Sequence, residues 1–183
     1  SDTAAKDSFS ATTAAAGSRD NTPVVLTGSA DGTVTYGNDS VTVDASHTQE
    51  GYLMVSYSGS NSKVKLQITG SDEITYTYNL HDGYETFPLT SGSGSYTVGV
   101  FENIEGTSYS TLFTQAIDVT IQDEFGPYLY ANQYVNFSAD SKVISKAMEL
   151  SASANDDLEV IENVYNYIIT NFTYDYDLSL IHI

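Results

Sequence analysis

The stretch Lys63-Val64-Lys65-Leu66-Gln67-Ile68-Thr69 decides how the rest of the chain is read. Successive side chains of an extended strand point to opposite faces, so Val64, Leu66 and Ile68 share one face and Lys63, Lys65 and Gln67 the other. A helix would scatter these residues around its axis. A strand with one apolar and one wet face belongs to an antiparallel sheet whose apolar side packs on something else.

Working outward, the same pattern recurs on both sides. Ile74, Tyr76 and Tyr78 line one face of the following run, against Thr75 and Thr77. Tyr84 to Leu89 and Tyr96 to Phe101 come next, then a long run from Ser108 to Ile121 that predicts a bend. Upstream, Gly51 to Tyr57 sets Leu53, Val55 and Tyr57 opposite Tyr52, Met54 and Ser56. Thr33–Tyr36 and Ser40–Val43 flank Gly37-Asn38-Asp39 and predict a hairpin, and Val24-Val25-Leu26 opens the series. Turn-forming residues separate the runs at Gly59-Ser60-Asn61, Gly70-Ser71-Asp72, His81-Asp82-Gly83, Ser91 to Gly94 and Glu105-Gly106. Short strands at this spacing predict a mainly β fold, an antiparallel Ig-like or fibronectin-like β-sandwich; a barrel fits the same pattern.

Composition agrees. The 183 residues include 15 tyrosines, and only 16% are charged, so hydroxyl, amide and aromatic groups dominate. Aromatic and β-branched side chains suit a pleated, half-buried surface. With 24 Asp and Glu against 6 Lys and Arg, the net charge is −18. Phosphate binding rests on clustered bases, so the charge argues against nucleic acid and against adsorption to anionic lipid. No run is long and apolar enough to predict membrane insertion. The chain has no cysteine, which removes disulfides, thiolate metal sites and cysteine nucleophiles together.

Residues 1–22 are mostly Ala, Ser, Thr and Asp with no apolar period, and read as a flexible tether or an expression leader. With no initiator Met and no signal segment, the numbering is expected to begin after a removed export segment or at such a leader. The sandwich is expected over residues 23–123. An aromatic, extended linker over 124–139 begins at Phe125-Gly126-Pro127 and is expected to lie on the domain surface. Two helices are expected over 140–183. Asp140-Ser141-Lys142 opens the first, whose small or apolar face is Val143, Ile144, Ala147, Met148 and Ser151. Asn155 is placed to cap the second, with Asp156, Asp157 and Glu159 at its positive end. Leu158, Ile161, Val164, Tyr165, Ile168 and Phe172 recur at helical spacing, and Val160, Tyr167 and Ile169 widen that face.

The segment Val160 to Asp177, an apolar helix ending in Tyr167-Ile168-Ile169-Thr170-Asn171-Phe172-Thr173-Tyr174-Asp175-Tyr176-Asp177, resembles the opening of bacterial transglutaminase-like domains. Asp123 to Tyr134 resembles the linker that precedes such domains in secreted proteins of clostridial type. The resemblance covers roughly the last third of the chain. It implies that 140–183 is the helical start of an incomplete transglutaminase-like domain, whose family uses a Cys, then a His, then an Asp beyond this motif. None of those residues carries over, so no catalytic, cofactor-binding or metal-binding residue and no cofactor is assigned here. The resemblance implies an exported parent enzyme, extracellular or anchored at the cell surface, acting on cell-wall or surface proteins. Leu178 to Ile183 departs from the family pattern, and Ser179-Leu180-Ile181-His182-Ile183 resembles translated sequencing adapter, so native sequence is expected to stop near Asp177 or Leu178.

Other polar groups carry weaker signals. His47, His81 and His182 sit far apart in the chain and read as turn or surface residues. Asp72 with Glu73, Asp82 with Glu85, and Asp175 with Asp177 supply oxygen ligands of the kind Ca²⁺ takes but match no known loop signature, so solvated turns are expected. The alternative to an enzyme accessory is an adhesion or carbohydrate-binding module, with Tyr76 and Tyr78 beside Tyr52 or Tyr96 as the stacking stripes. A cell-wall polysaccharide would then be the partner.

Overall fold

A computed structural model of the protein describes residues 16–174. They form two compact units: Val25–Ser138, and the residues before 25 together with those after 138.

The first unit is the sandwich. Its eight strands are β1 Thr35–Gly37, β2 Val41–Asp44, β3 Tyr52–Tyr57, β4 Val64–Thr69, β5 Thr75–Leu80, β6 Gly83–Pro88, β7 Gly94–Glu105 and β8 Ser108–Val119. They make two antiparallel sheets, ordered β1-β2-β3-β6 and β5-β4-β7-β8. Two open sheets face to face, not one closed barrel, are the fibronectin-like arrangement expected from the alternation. The predicted hairpin is β1–β2. Its turn is held by Asn38, whose Oδ1 accepts from the Ser40 and Val41 amides at 3.0 and 2.9 Å.

The core lies between the sheets. Val41, Val43, Leu53, Val55 and Phe87 come from one side, and Val64, Leu66, Ile68, Val98, Val100, Ile117 and Val119 from the other. Tyr78 and Tyr96 also enter it. The Tyr78 ring meets Phe87 edge-on, with centroids 5.0 Å apart, and burial, then the neighbouring Tyr134 and Tyr76, push its hydroxyl up to about 12. Tyr96 donates from its hydroxyl to the Gly92 carbonyl at 2.7 Å, so its one polar atom is satisfied. The bend in the last strand is a bulge: Val100 pairs with Phe113 and Phe101 with Thr111, leaving Leu112 without a partner in β7.

Strand β3 departs from simple alternation. Tyr52 and Met54, on the outer face, are buried along with Leu53 and Val55. The segment after Val25 lies over them: the Ser29 amide donates to the Tyr52 hydroxyl, and the Tyr130 ring sits 4.4 Å from that of Tyr52. Val24-Val25-Leu26 is therefore not a strand of either sheet. Only Leu26 pairs, in an isolated parallel bridge to Tyr130, because the segment covers a sheet face and does not extend an edge.

The residues after β8 fold back onto the same unit. Gly126 and Pro127 are buried in a short 3-10 turn, Gly126–Tyr128. Two glycines permit the approach. A Cβ on Gly51 would lie 2.5 Å from the Pro127 ring, and one on Gly126 would lie 2.5 Å from the Glu50 carbonyl oxygen. Gly51 also has φ +89°, a conformation glycine adopts without strain.

The second unit holds α1, Lys142–Ser151, and α2, Asp157–Asn171. The cap of α2 is Asp156, one residue after the predicted Asn155. The Asp156 Oδ1 accepts from the Glu159 amide at 2.9 Å, and the Glu159 carboxylate accepts in return from the Asn155 amide at 2.7 Å. This reciprocal arrangement satisfies donors at the helix start. Asn155 instead accepts from the Ser18 amide at 3.1 Å. The described part of the expected tether is hydrogen-bonded within this unit: Gly17 donates to the Ala152 carbonyl, Asn21 to the Ser151 carbonyl, and Arg19 pairs with Asp157 at 2.7 Å. No helix among the described residues is long and apolar enough to cross a membrane.

Candidate functional site

At one end of the sandwich, three stretches of chain enclose a groove of about 680 Å³. The first is the Leu89–Ser93 connection between β6 and β7. Its base is fixed by the Leu89 amide donating to the Gly51 carbonyl at 2.8 Å and by the Tyr96 hydroxyl on Gly92. The second is the segment Ile121-Gln122, just past the end of β8. Ile121 donates to the Ser93 Oγ at 2.9 Å, and Gln122 is held through both its backbone and its side chain to Gln49. The third is the 3-10 turn with the residues that lead into it. Asp123 Oδ1 accepts from the Phe125 amide at 3.0 Å, and the Gly126 amide returns to the Asp123 carbonyl at 2.9 Å.

This framework has a consequence for the side chains. Phe125 and Tyr128 are 63% and 66% exposed, yet each stands on backbone locked by hydrogen bonds and by the Gly51–Pro127 contact. Beside them lie the carboxylates of Asp123 and Glu124, the amide of Gln122 and the hydroxyls of Thr90 and Ser93. No Lys or Arg among the described residues lines the groove. The arrangement offers two open ring faces next to a row of hydrogen-bond acceptors.

The sequence pattern did not reveal this groove. It read the tyrosines at strand spacing first as core or half-buried sheet positions and, as the alternative, offered Tyr76 and Tyr78 with Tyr52 or Tyr96 as stacking stripes. Tyr52, Tyr78 and Tyr96 are buried and present no ring face to a ligand; only Tyr76 is exposed. The one available signal was the aromatic residues flanking Gly126-Pro127, which read as a linker.

The histidines gather partners but no catalytic geometry. His47 Nε2 lies 2.8 Å from Asp31 Oδ2 and 3.1 Å from Ser29 Oγ, and the ring stacks on Tyr52 with centroids 5.3 Å apart. A serine nucleophile needs the imidazole nitrogen it touches as its own proton acceptor, with an acid on the other nitrogen. Here Asp31 shares Nε2 with Ser29, and Glu50 stands 3.6 Å from Nδ1, too far for a hydrogen bond. The cluster pins the 26–31 segment across β3. Hydrogen bonds from the Ser29 side chain, then from His47, hold the Asp31 carboxyl below its ordinary pKa.

His81 Nδ1 lies 3.0 Å from Glu85 Oε1, which also accepts from the Gln133 side chain at 2.8 Å. That cluster ties the segment after the 3-10 turn to β6. Asp72 Oδ1 accepts from the Ile74 amide at 3.1 Å and so shapes the β4–β5 turn. Among the described residues no group of three or more His, Asp or Glu side chains converges to hold a metal ion. Asp175, Asp177 and His182 lie outside the described residues. No cysteine occurs in the 183 residues, so a cysteine-dependent reaction has no nucleophile in them.

Compared with known proteins, the chain matches no protein-family model and no curated protein sequence.

Proposed function

We propose that the sandwich is a non-catalytic accessory or spacer domain of an exported transglutaminase-like cysteine enzyme acting on cell-wall or surface proteins, and that α1 and α2 belong to the start of the enzyme's catalytic fold. The observation that carries this reading is the exposed apolar face of α2, which no element among the described residues covers. Leu158, Ile161 and Phe172 are 75%, 63% and 64% exposed, and Tyr165, Ile168 and Ile169 are exposed with them. Large apolar side chains repeated at helical spacing are ordinarily buried by a neighbouring element. A larger fold packed on α2 would cover them, as the resemblance of Tyr167 to Asp177 to a transglutaminase-like opening implies.

The sandwich suits a supporting role. Its core is complete in itself, and the hydrogen bonds of Gln122, Phe125 and Gly126 fix the exit of the chain from β8. The test is the source DNA past codon 183, read from clean genomic template. An open frame supplying a Cys, then a His, then an Asp supports the proposal. A stop codon directly after Ile183 overturns it.

A further inference from the structure

We propose that the groove between the β6–β7 connection and the Gly126–Tyr128 turn binds an uncharged oligosaccharide, with Phe125 and Tyr128 as stacking rings and Gln122 and Glu124 as hydrogen-bond acceptors. The site stands on the sandwich alone and does not depend on the enzyme reading above.

Hydrogen-bond polarity carries the first step. Gln122 commits one side-chain N–H to Gln49 Oε1 at 2.7 Å and keeps its second N–H and its carbonyl oxygen, which accepts. Asp123 commits one oxygen to the Phe125 amide and keeps the other. Glu124 adds a second carboxylate to the lining. Ser93 Oγ accepts from Ile121, so its hydroxyl proton is available to donate. Acceptors therefore outnumber donors, and the matching ligand is rich in donors. Negative charge with no Lys or Arg among the described lining residues disfavours phosphorylated, sulfated and carboxylated ligands.

Ring geometry carries the second step. Both residues are about two-thirds exposed, so they line an open groove, not the walls of an enclosed slot. A pyranose has a flat C–H face to lay on an aromatic ring and an edge of hydroxyl donors to offer the acceptors beside it. A basic peptide would also be drawn to the carboxylates, but its anchoring side chains seek desolvated pockets. The volume, about 680 Å³, lies within the range of small-molecule sites and allows more than one sugar unit.

The test is calorimetric titration of the full 183-residue chain. The probes are hexamers of β-linked glucose, mannose, galactose and N-acetylglucosamine, with polygalacturonate and a Lys/Pro-rich peptide as competing classes. At least one neutral hexamer is expected to bind, and polygalacturonate is not. Phe125→Ala and Tyr128→Ala, each confirmed folded by circular dichroism, should weaken that binding by about tenfold, as loss of one aromatic contact predicts. Glu124→Gln keeps an acceptor and removes the charge. Because the neutral acceptor bonds hydroxyls more weakly, it should weaken neutral-glycan binding about threefold, whereas binding of a cationic peptide would fall further. Three results overturn the proposal: no neutral hexamer binds, only the peptide binds, or the hexamer binds equally well to both folded ring variants.

Discussion

The sandwich and the helical pair solve the same problem to different degrees. Between its two sheets the sandwich places apolar side chains from seven of its strands, from Val41 to Val119, almost wholly out of water. The helical pair buries Ala154 and Ser151 in the turn region, while the large residues of α2 face outward. Its order rests instead on polar detail: the Asp156–Glu159 cap, the Asn163 side chain on the Leu150 carbonyl at 2.9 Å, and Arg19 on Asp157. Exposed polar contacts contribute little net stability each, whereas apolar burial scales with area. One unit has what it needs to hold its shape. The other presents a surface that another element would cover.

Phe87→Ala should show the largest effect. It empties a fully buried site opposite Leu53 and under Tyr78, and is expected to cost about 3–5 kcal/mol. Leu158→Ala, on the exposed helix face, should stay within about 0.5 kcal/mol. Urea unfolding followed by circular dichroism measures both. Equal costs for the two would break the comparison.

A smaller effect is expected at Asp44, buried among apolar strand residues. Burial pushes its carboxyl up, but hydrogen bonds from the Ser46 side chain and amide and from the Gly32 amide outweigh this, and its pKa lies below the ordinary value. Asp44→Ala should cost about 1–3 kcal/mol at neutral pH, because the Gly32 and Ser46 amides lose their acceptor. A depressed folded-state pKa stabilises the fold above the unfolded value, about 3.9, and that stability is lost as pH falls through the folded value. The gap between wild type and variant should therefore be full at about pH 6 and narrow steadily below about pH 4. A gap that stays constant down to about pH 2.5 would contradict the role given to the carboxylate.

The smallest change in stability is expected from Ile161→Ser with Ile168→Ser, which leaves the sandwich untouched. The readout is association. Light scattering should show the wild-type chain self-associating at high concentration through the α2 face, and both the double variant and a chain lacking residues 140–183 remaining monomeric. A wild-type chain that stays monomeric at every concentration would mean that the exposed face is not sticky enough to need a cover.

Much of this architecture was legible in the residues. The alternation in Val64–Thr69 predicted which side chains face the core. Asn38 marked the hairpin turn, and the spacing of Leu158, Ile161 and Ile168 marked a helix. The misses share one cause. The period of two shows that Tyr76 and Tyr78 lie on one face of a strand, but not that β5 is a sheet edge where the first is exposed and the second packs on Phe87. The same period puts Tyr52 opposite Leu53 but does not show that both faces of β3 are buried, because the segment that covers Tyr52 arrives from more than twenty residues upstream. Asn155 and Asp156 are both good caps, and the Ser18 amide, far away in sequence, occupies the first.

The sequence by itself determined the local periods, the excess of acid and the lack of any thiol, since these depend only on neighbouring residues and composition. The tertiary structure decided which aromatic rings are taken up in the core and which stand open, and it alone assembled the groove. Leu89–Ser93 and Gln122–Tyr128 are separated by the two longest strands of the sandwich, β7 and β8. They meet because antiparallel pairing returns the chain to the end from which it left, and because Gly51 and Gly126 leave room for the close contact that holds them there.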